Sequence, residues 1–223
     1  MLPSQTVENY LKSIYLAEAA LSAERDLVPM GQLASALGVT PGTATTMVKT
    51  LSESGLAHYE PYSGVKLTPA GHKLASMVLR RHRLIELFLV KVLGMSWAEV
   101  HDEAEHLEHA VSDRLIDRID EMLGRPKTDP HGDPIPTAEG HVEPSEASDL
   151  LTCDIGVPVR VARVLDQDAQ FLHFVEASGL KPGEELVVDS RDEAADRVGL
   201  RHNDGRITII GTRAAAKILA RPA

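Results

Sequence analysis

Aromatic residues make up only 4% of the 223 positions, and there is one cysteine, Cys153. With so few rings, any core must be built mainly from Leu, Val, Ile and Ala, which suits helix packing beside a small β domain. A lone cysteine excludes a disulfide framework within the chain. No apolar run is long enough to cross a bilayer, and no charged-then-apolar leader follows Met1-Leu2-Pro3-Ser4. These absences predict a soluble cytoplasmic protein with no membrane contact. Positive charge is short as well: the formal net charge of -10 argues against general coating of nucleic acid, which depends on Lys and Arg neutralising phosphates. Segregated charge still leaves room for a regulator that binds DNA.

Against these absences stands a dense run of metal-ligand residue types. Between His101 and His109 the chain reads H-D-E-A-E-H-L-E-H. On one helix, His101, Glu105, Glu108 and His109 fall at i, i+4, i+7 and i+8, a single stripe. Two carboxylates with no Lys or Arg on their own face repel one another, so the pattern calls for a divalent cation. Upstream, His82 and Glu86 in R-R-H-R-L-I-E-L are also one helical turn apart and extend the candidate set to six.

The organisation around these residues is legible from periodicity and punctuation. Gln5 to Ala20 has helical spacing of apolar residues. In M-G-Q-L-A-S-A-L-G-V-T-P-G-T-A-T-T-M-V-K-T-L-S-E-S-G-L, Gly38 ends one short helix, Thr40 caps the next with Pro41 at its first position, and Gly55 closes it. Two β-prone stretches around Ser63-Gly64 follow, so Met30 to Thr68 reads as a winged helix-turn-helix. Helical spacing resumes from Pro69 until Gly94. Ser96 is expected to cap the helix that carries the stripe, and Val111, Leu115, Ile116, Ile119 and Leu123 continue an apolar face suited to a dimer seam. Gly124 to Asp149, rich in Pro, Gly and acid, reads as a linker. Short β-rich runs then surround a helix at Phe171 to Ala177, the pattern of a small β-barrel.

The fold class expected is mainly α with α+β. Its parts are a winged helix-turn-helix DNA-binding domain over 1–71, a helical metal-binding and dimerisation domain over 72–140, a linker over 141–152 and a small β-barrel over 153–223. In the recognition helix Thr40, Thr43, Thr45, Thr46 and Lys49 are candidate DNA contacts, with Tyr59, Tyr62 and Lys66 in the wing. The absence of Arg there shifts selectivity toward thymine methyl contacts, DNA shape and half-site spacing.

Four stretches in order, E-N-Y-L-K-S-I-Y, R-R-H-R-L-I-E-L-F-L-V, W-A-E-V-H-D-E-A-E-H-L-E-H-A-V-S-D and D-P-H-G-D-P-I-P, resemble the iron- and manganese-dependent transcriptional repressors of the diphtheria toxin repressor type. The resemblance covers nearly the whole chain and implies an SH3-like C-terminal domain. It implies one metal site at His82, Glu86 and His101, and a second at Asn9, Glu105, Glu108 and His109, with Glu8 or a water as alternatives to Asn9. It also implies C-terminal ligands at Gln167 and Gln170, with Asp166 and Asp168 as competitors. Iron-responsive members generally have Cys where this chain has Glu105, and an all N and O donor set suits Mn²⁺. The expected function is therefore a homodimeric repressor of metal-uptake genes that binds double-stranded operator DNA with Mn²⁺ as corepressor. Fe²⁺ is the alternative cofactor, and other divalent transition metals should act in vitro. Two other classes compete: a dinuclear carboxylate metalloenzyme, and a winged-helix regulator that needs no metal.

Overall fold

The computed structural model describes residues 4–22, 25–143 and 146–223. Met1 to Pro3, part of the stretch read as carrying no leader, lie outside the described residues, as do 144–145 of the expected linker. The chain divides into two compact units: residues 1–82 with 108–111 and 136–142, and residues 83–107 with 112–135 and 143–223.

The first unit opens with α1 (Gln5–Ala19), capped by the Ser4 hydroxyl, which accepts from the Val7 amide. Then come α2 (Met30–Ala36) and α3 (Pro41–Glu53). Thr40 caps α3 by accepting from the Thr43 amide, Pro41 occupies its first turn, and Gly38 and Gly55 take positive φ where the helices stop. Strands β1 (Ala57–Glu60) and β2 (Gly64–Leu67) pair antiparallel as the wing. Close backbone approach explains one glycine here. A Cβ on Gly71, in the first turn of α4 (Pro69–Lys91), would sit 2.0 Å from the Leu56 carbonyl oxygen. Tyr10, Leu11 and Ile14 of α1, Leu33 and Ala34 of α2, Ala44, Val48 and Leu51 of α3, and Val65 and Leu67 of the wing share one buried core. The Leu67 amide donates to Glu18 Oε1 at 2.7 Å, tying α1 to the wing.

The second unit contains α5 (Val100–Leu107), α6 (Asp113–Met122) and a six-stranded sheet in the order β3-β8-β4-β5-β6-β7. Its strands are β3 (Ser148–Asp149), β4 (Pro158–Val164), β5 (Glu185–Asp192), β6 (Arg197–His202), β7 (Ile207–Ile210) and β8 (Ile218–Pro222), with all pairings antiparallel. Helix α7 (Ala169–Ala177) packs Leu172 and Val175 into the sheet core, and α8 (Thr212–Ala215) contributes Ala215.

Three readings of local structure are corrected. The stripe does not lie on one continuous helix: α5 ends at Leu107, and Ser112 starts α6 by accepting from the Leu115 amide. Glu108 and His109 therefore sit beyond the helix end, where their side chains meet groups on α1 and α4. Nor does Ser96 begin α5. It accepts from the Ala98 amide in a turn, while Trp97 and Ala98 are drawn into the sheet core and the helix starts only at Val100. Residues 125–135 are not a loose linker, since Asp129, His131 and Asp133 are buried and Thr128 bridges Pro134. Strands β3 and β8 were not anticipated. One is only two residues long, and the other reads I-L-A-R-P, too brief an apolar run to announce itself.

Candidate metal centre

Helix α1 has two working faces. Tyr10, Leu11 and Ile14 point into the winged-helix core, while Glu8, Asn9 and Lys12 carry the polar side. In the first unit that polar side meets Arg81 and His82 of α4 and the Glu108-His109 pair. Lys12 Nζ donates to both carboxylate oxygens of Glu108 at 2.8 and 2.9 Å. His82 Nδ1 donates to Glu108 Oε2 at 2.6 Å. His109 Nδ1 donates to Glu8 Oε2 at 2.6 Å, and Arg81 donates to Glu8 Oε1 at 2.6 Å. Glu108 is fully buried. Burial pushes its carboxyl up, but the hydrogen bond from His82 and the ammonium of Lys12 outweigh that and hold it below the usual range.

For Glu108 this arrangement supplies a cationic partner that the stripe itself lacks. Lys12 comes from α1, 96 residues away in sequence. What has no donor is different. Asn9 Oδ1 is buried without a hydrogen-bond partner, and so is His109 Nε2, which lies 3.2 Å from Glu108 Oε1. A buried acceptor without a donor is unfavourable, and a bare imidazole nitrogen beside a buried carboxylate fits a cation.

A second group lies within the second unit and was missed as a ligand set. Ligand atoms of Glu86, Asp129 and His131, all buried, lie within 4.8 Å of one another. His131 Nε2 donates to the Trp97 carbonyl at 2.8 Å, which leaves the lone pair of a neutral ring on Nδ1. That nitrogen is buried without a hydrogen-bond partner, 3.8 Å from Glu86 Oε2 and 4.0 Å from Asp129 Oδ1. The Asp129 carboxyl is pushed well above its ordinary range by burial and by the charges of Asp133 and Glu86, with Arg83 offsetting part of this. His101 approaches Glu86 Oε1 at 3.3 Å and Glu105 at 3.8 Å. Asp133 is held by Arg163, by Arg83 at 3.4 Å and by Gln167 at 2.8 Å. The signal available in the sequence was D-P-H-G-D, a turn that concentrates two acids and an imidazole.

Each group thus contains an imidazole with one nitrogen fixed by a donated hydrogen bond and the other bare and buried beside a carboxylate. This is how metal-ligating histidines are oriented. The C-terminal candidates separate: Gln167 reaches Asp133, whereas Gln170 is exposed on α7. Asp168 caps α7, and Asp166 is paired with Lys217 at 2.5 Å.

On α3, Thr40, Thr43, Thr46 and Lys49 are exposed and Thr45 is partly buried. The hydroxyls of Thr45 and Thr46 donate to the carbonyls of Pro41 and Gly42, which uses their O–H donors and leaves hydroxyl acceptors and methyl groups for contact with DNA. Tyr62, at the wing tip with positive φ, is fully exposed, and Tyr59 and Lys66 are partly buried.

Comparison with known proteins agrees along the chain. The family model for the iron-dependent repressor N-terminal DNA-binding domain matches residues 3–65. That for the iron-dependent repressor metal-binding and dimerisation domain matches 68–137, and the FeoA domain matches 149–222. The diphtheria toxin repressor of Corynebacterium glutamicum is 31% identical over 222 residues, covering 95% of this chain and 94% of its own. The iron-dependent repressor of Mycobacterium tuberculosis is 32% identical over 198 residues, covering 83% of this chain and 84% of its own. A solved manganese-dependent transcriptional repressor in complex with manganese is 42% identical with a TM-score of 0.87, covering 97% of this chain and all of its own.

Proposed function

The chain belongs to the diphtheria toxin repressor family of metal-dependent transcriptional regulators, and from this premise we propose that it is a manganese-responsive repressor that binds operator DNA as a homodimer. The family consists of DNA-binding repressors, which sets the metalloenzyme reading aside. One observation carries the link between metal and DNA. The helix that supplies Glu8 and Asn9 to the first group also supplies Tyr10, Leu11 and Ile14 to the core beneath α3. Ordering one face of α1 constrains the other.

Asn9, Glu108 and His109 would hold one ion, with Glu8 as a further oxygen donor; Glu105 is added on the family resemblance. Glu86, His101, Asp129 and His131 would hold a second, with His82 one turn before Glu86 on α4 and Gln167 supporting through Asp133. When bound, a divalent ion supplies the positive charge that the bare imidazole nitrogens and the Asn9 oxygen face. Donors limited to carboxylate, carboxamide and imidazole support Mn²⁺ over softer metals. Fe²⁺ is the second reading, supported by the iron-dependent relative.

Domains 1–71, 72–140 and 153–223 would then serve as reader, metal-binding dimerisation core and accessory β domain, acting on DNA in the cytoplasm. Leu115 and Met122, exposed on α6, suit a dimer seam. A two-fold dimer would present its α3 helices about 34–36 Å apart, one DNA turn. Genes for metal import are the natural target of a repressor that gains affinity when metal is abundant.

Operator binding measured with Mn²⁺, Fe²⁺, Co²⁺ and Zn²⁺ in turn, at fixed salt, tests the reading. Mn²⁺ should activate, and dependence on Fe²⁺ alone would overturn the metal assignment. On the DNA side, Lys49→Ala should weaken binding uniformly across operator sequences and lower the salt slope by about 1. A sequence-selective loss would instead place Lys49 on a base edge.

A further inference from the structure

Lys12 stands out because it cannot be a ligand. A protonated ammonium offers three donors and no acceptor, yet it lies 7% exposed against the carboxylate that the first candidate group is built around. Glu108 accepts two hydrogen bonds from Lys12 and one from His82, three of the roughly four its lone pairs permit. The bare His109 nitrogen faces the remaining side. An imidazole can turn its lone pair toward an arriving ion. Lys12 can only withdraw.

We propose that Lys12 is a resident cation that competes with the divalent ion for Glu108. In the metal-free protein it holds α1 against the Glu108-His109 segment, so α1 is ordered before metal arrives. It also raises the metal concentration needed for activation, because the ion must take Glu108 oxygens that Lys12 already occupies. Activation is then an exchange of one cation for another on a single carboxylate, and α1 is not loose in the resting state. The inference rests on the reading of Glu108 as a metal ligand.

The two consequences have opposite signs, which separates this role from simple packing. In Lys12→Gln, backbone amides of α1 in the metal-free protein should exchange hydrogen about tenfold faster, while Mn²⁺, followed by calorimetry, should bind about tenfold more tightly. Lys12→Arg keeps the charge and should keep the slow exchange. If Lys12→Gln binds Mn²⁺ more weakly or equally, or if α1 exchange is unchanged, the proposal is wrong. Should Lys12→Gln fail to fold, the wild-type protein decides. Acylation of Lys12, read by mass spectrometry, should accelerate when Mn²⁺ is added, and an unchanged rate overturns the exchange. If instead wild-type operator binding proves indifferent to every metal, the regulatory reading falls, while exchange in the metal-free protein still decides whether Lys12 orders α1.

Discussion

Replacing Glu105 and His109 together by alanine should abolish Mn²⁺-stimulated operator binding while the dimer persists in sedimentation. On the proposed reading these side chains would supply an anionic oxygen and an imidazole nitrogen to the first ion. Coupling between two ligands of one protein is typically about 1 to 3 kcal/mol, which is about 5- to 150-fold in affinity, and this stimulation should vanish. By reciprocity, operator DNA should then no longer tighten Mn²⁺ binding by the same factor. The apolar residues of α6 are untouched by the double substitution, and so is the Lys12–Glu108 pair. Undiminished stimulation in this variant would reject the mechanism.

Gly132→Ala should be the most damaging single methyl group in the chain. Gly132 has a φ of +87°, and a Cβ there would lie 2.0 Å from the Ala162 carbonyl oxygen and 2.7 Å from the Arg163 Cα, both of them backbone atoms that cannot swing aside. Left-handed backbone costs about 1–2 kcal/mol for a residue with a side chain, and overpacking typically adds about 1–3 kcal/mol. The neighbouring His131 carbonyl accepts from the Val164 amide at 2.8 Å, so displacing the turn also disturbs β4 and the second candidate group. Thermal unfolding should show a fall of several degrees, and Mn²⁺ binding measured by calorimetry should lose one component. Wild-type stability with both components intact would mean that the turn is not held this tightly.

Much of the first unit could be read from local chemistry. Gly38, Thr40, Pro41 and Gly55 mark the ends of α2 and α3 through backbone preferences that need no tertiary context, and the structure places those ends there. The site was legible as a set of residue types and much less so as a set of partners. Lys12 and Arg81 lie far in sequence from the carboxylates they neutralise, and periodicity along one helix cannot see a cation arriving from another. The break between α5 and α6 was hidden for a related reason. The interactions of Glu108 and His109 that accompany it are long-range, and only the Ser112 cap gave a local sign. His131 escaped because the proline-rich composition around it suggested a linker. That turn is fixed by buried side chains, which composition does not report.

Trp97, the chain's only tryptophan, stacks on the His131 ring with centroids 5.4 Å apart and has the Lys181 ammonium 5.2 Å from its own ring. Indole emission responds to charge and to electron transfer at contact range, so the molecule carries a built-in optical probe beside one of its two candidate groups. No label or second fluorophore is needed to follow His131 from apo to loaded protein. Steady-state fluorescence can therefore isolate events there from those around Glu108, for which the chain offers tyrosine alone.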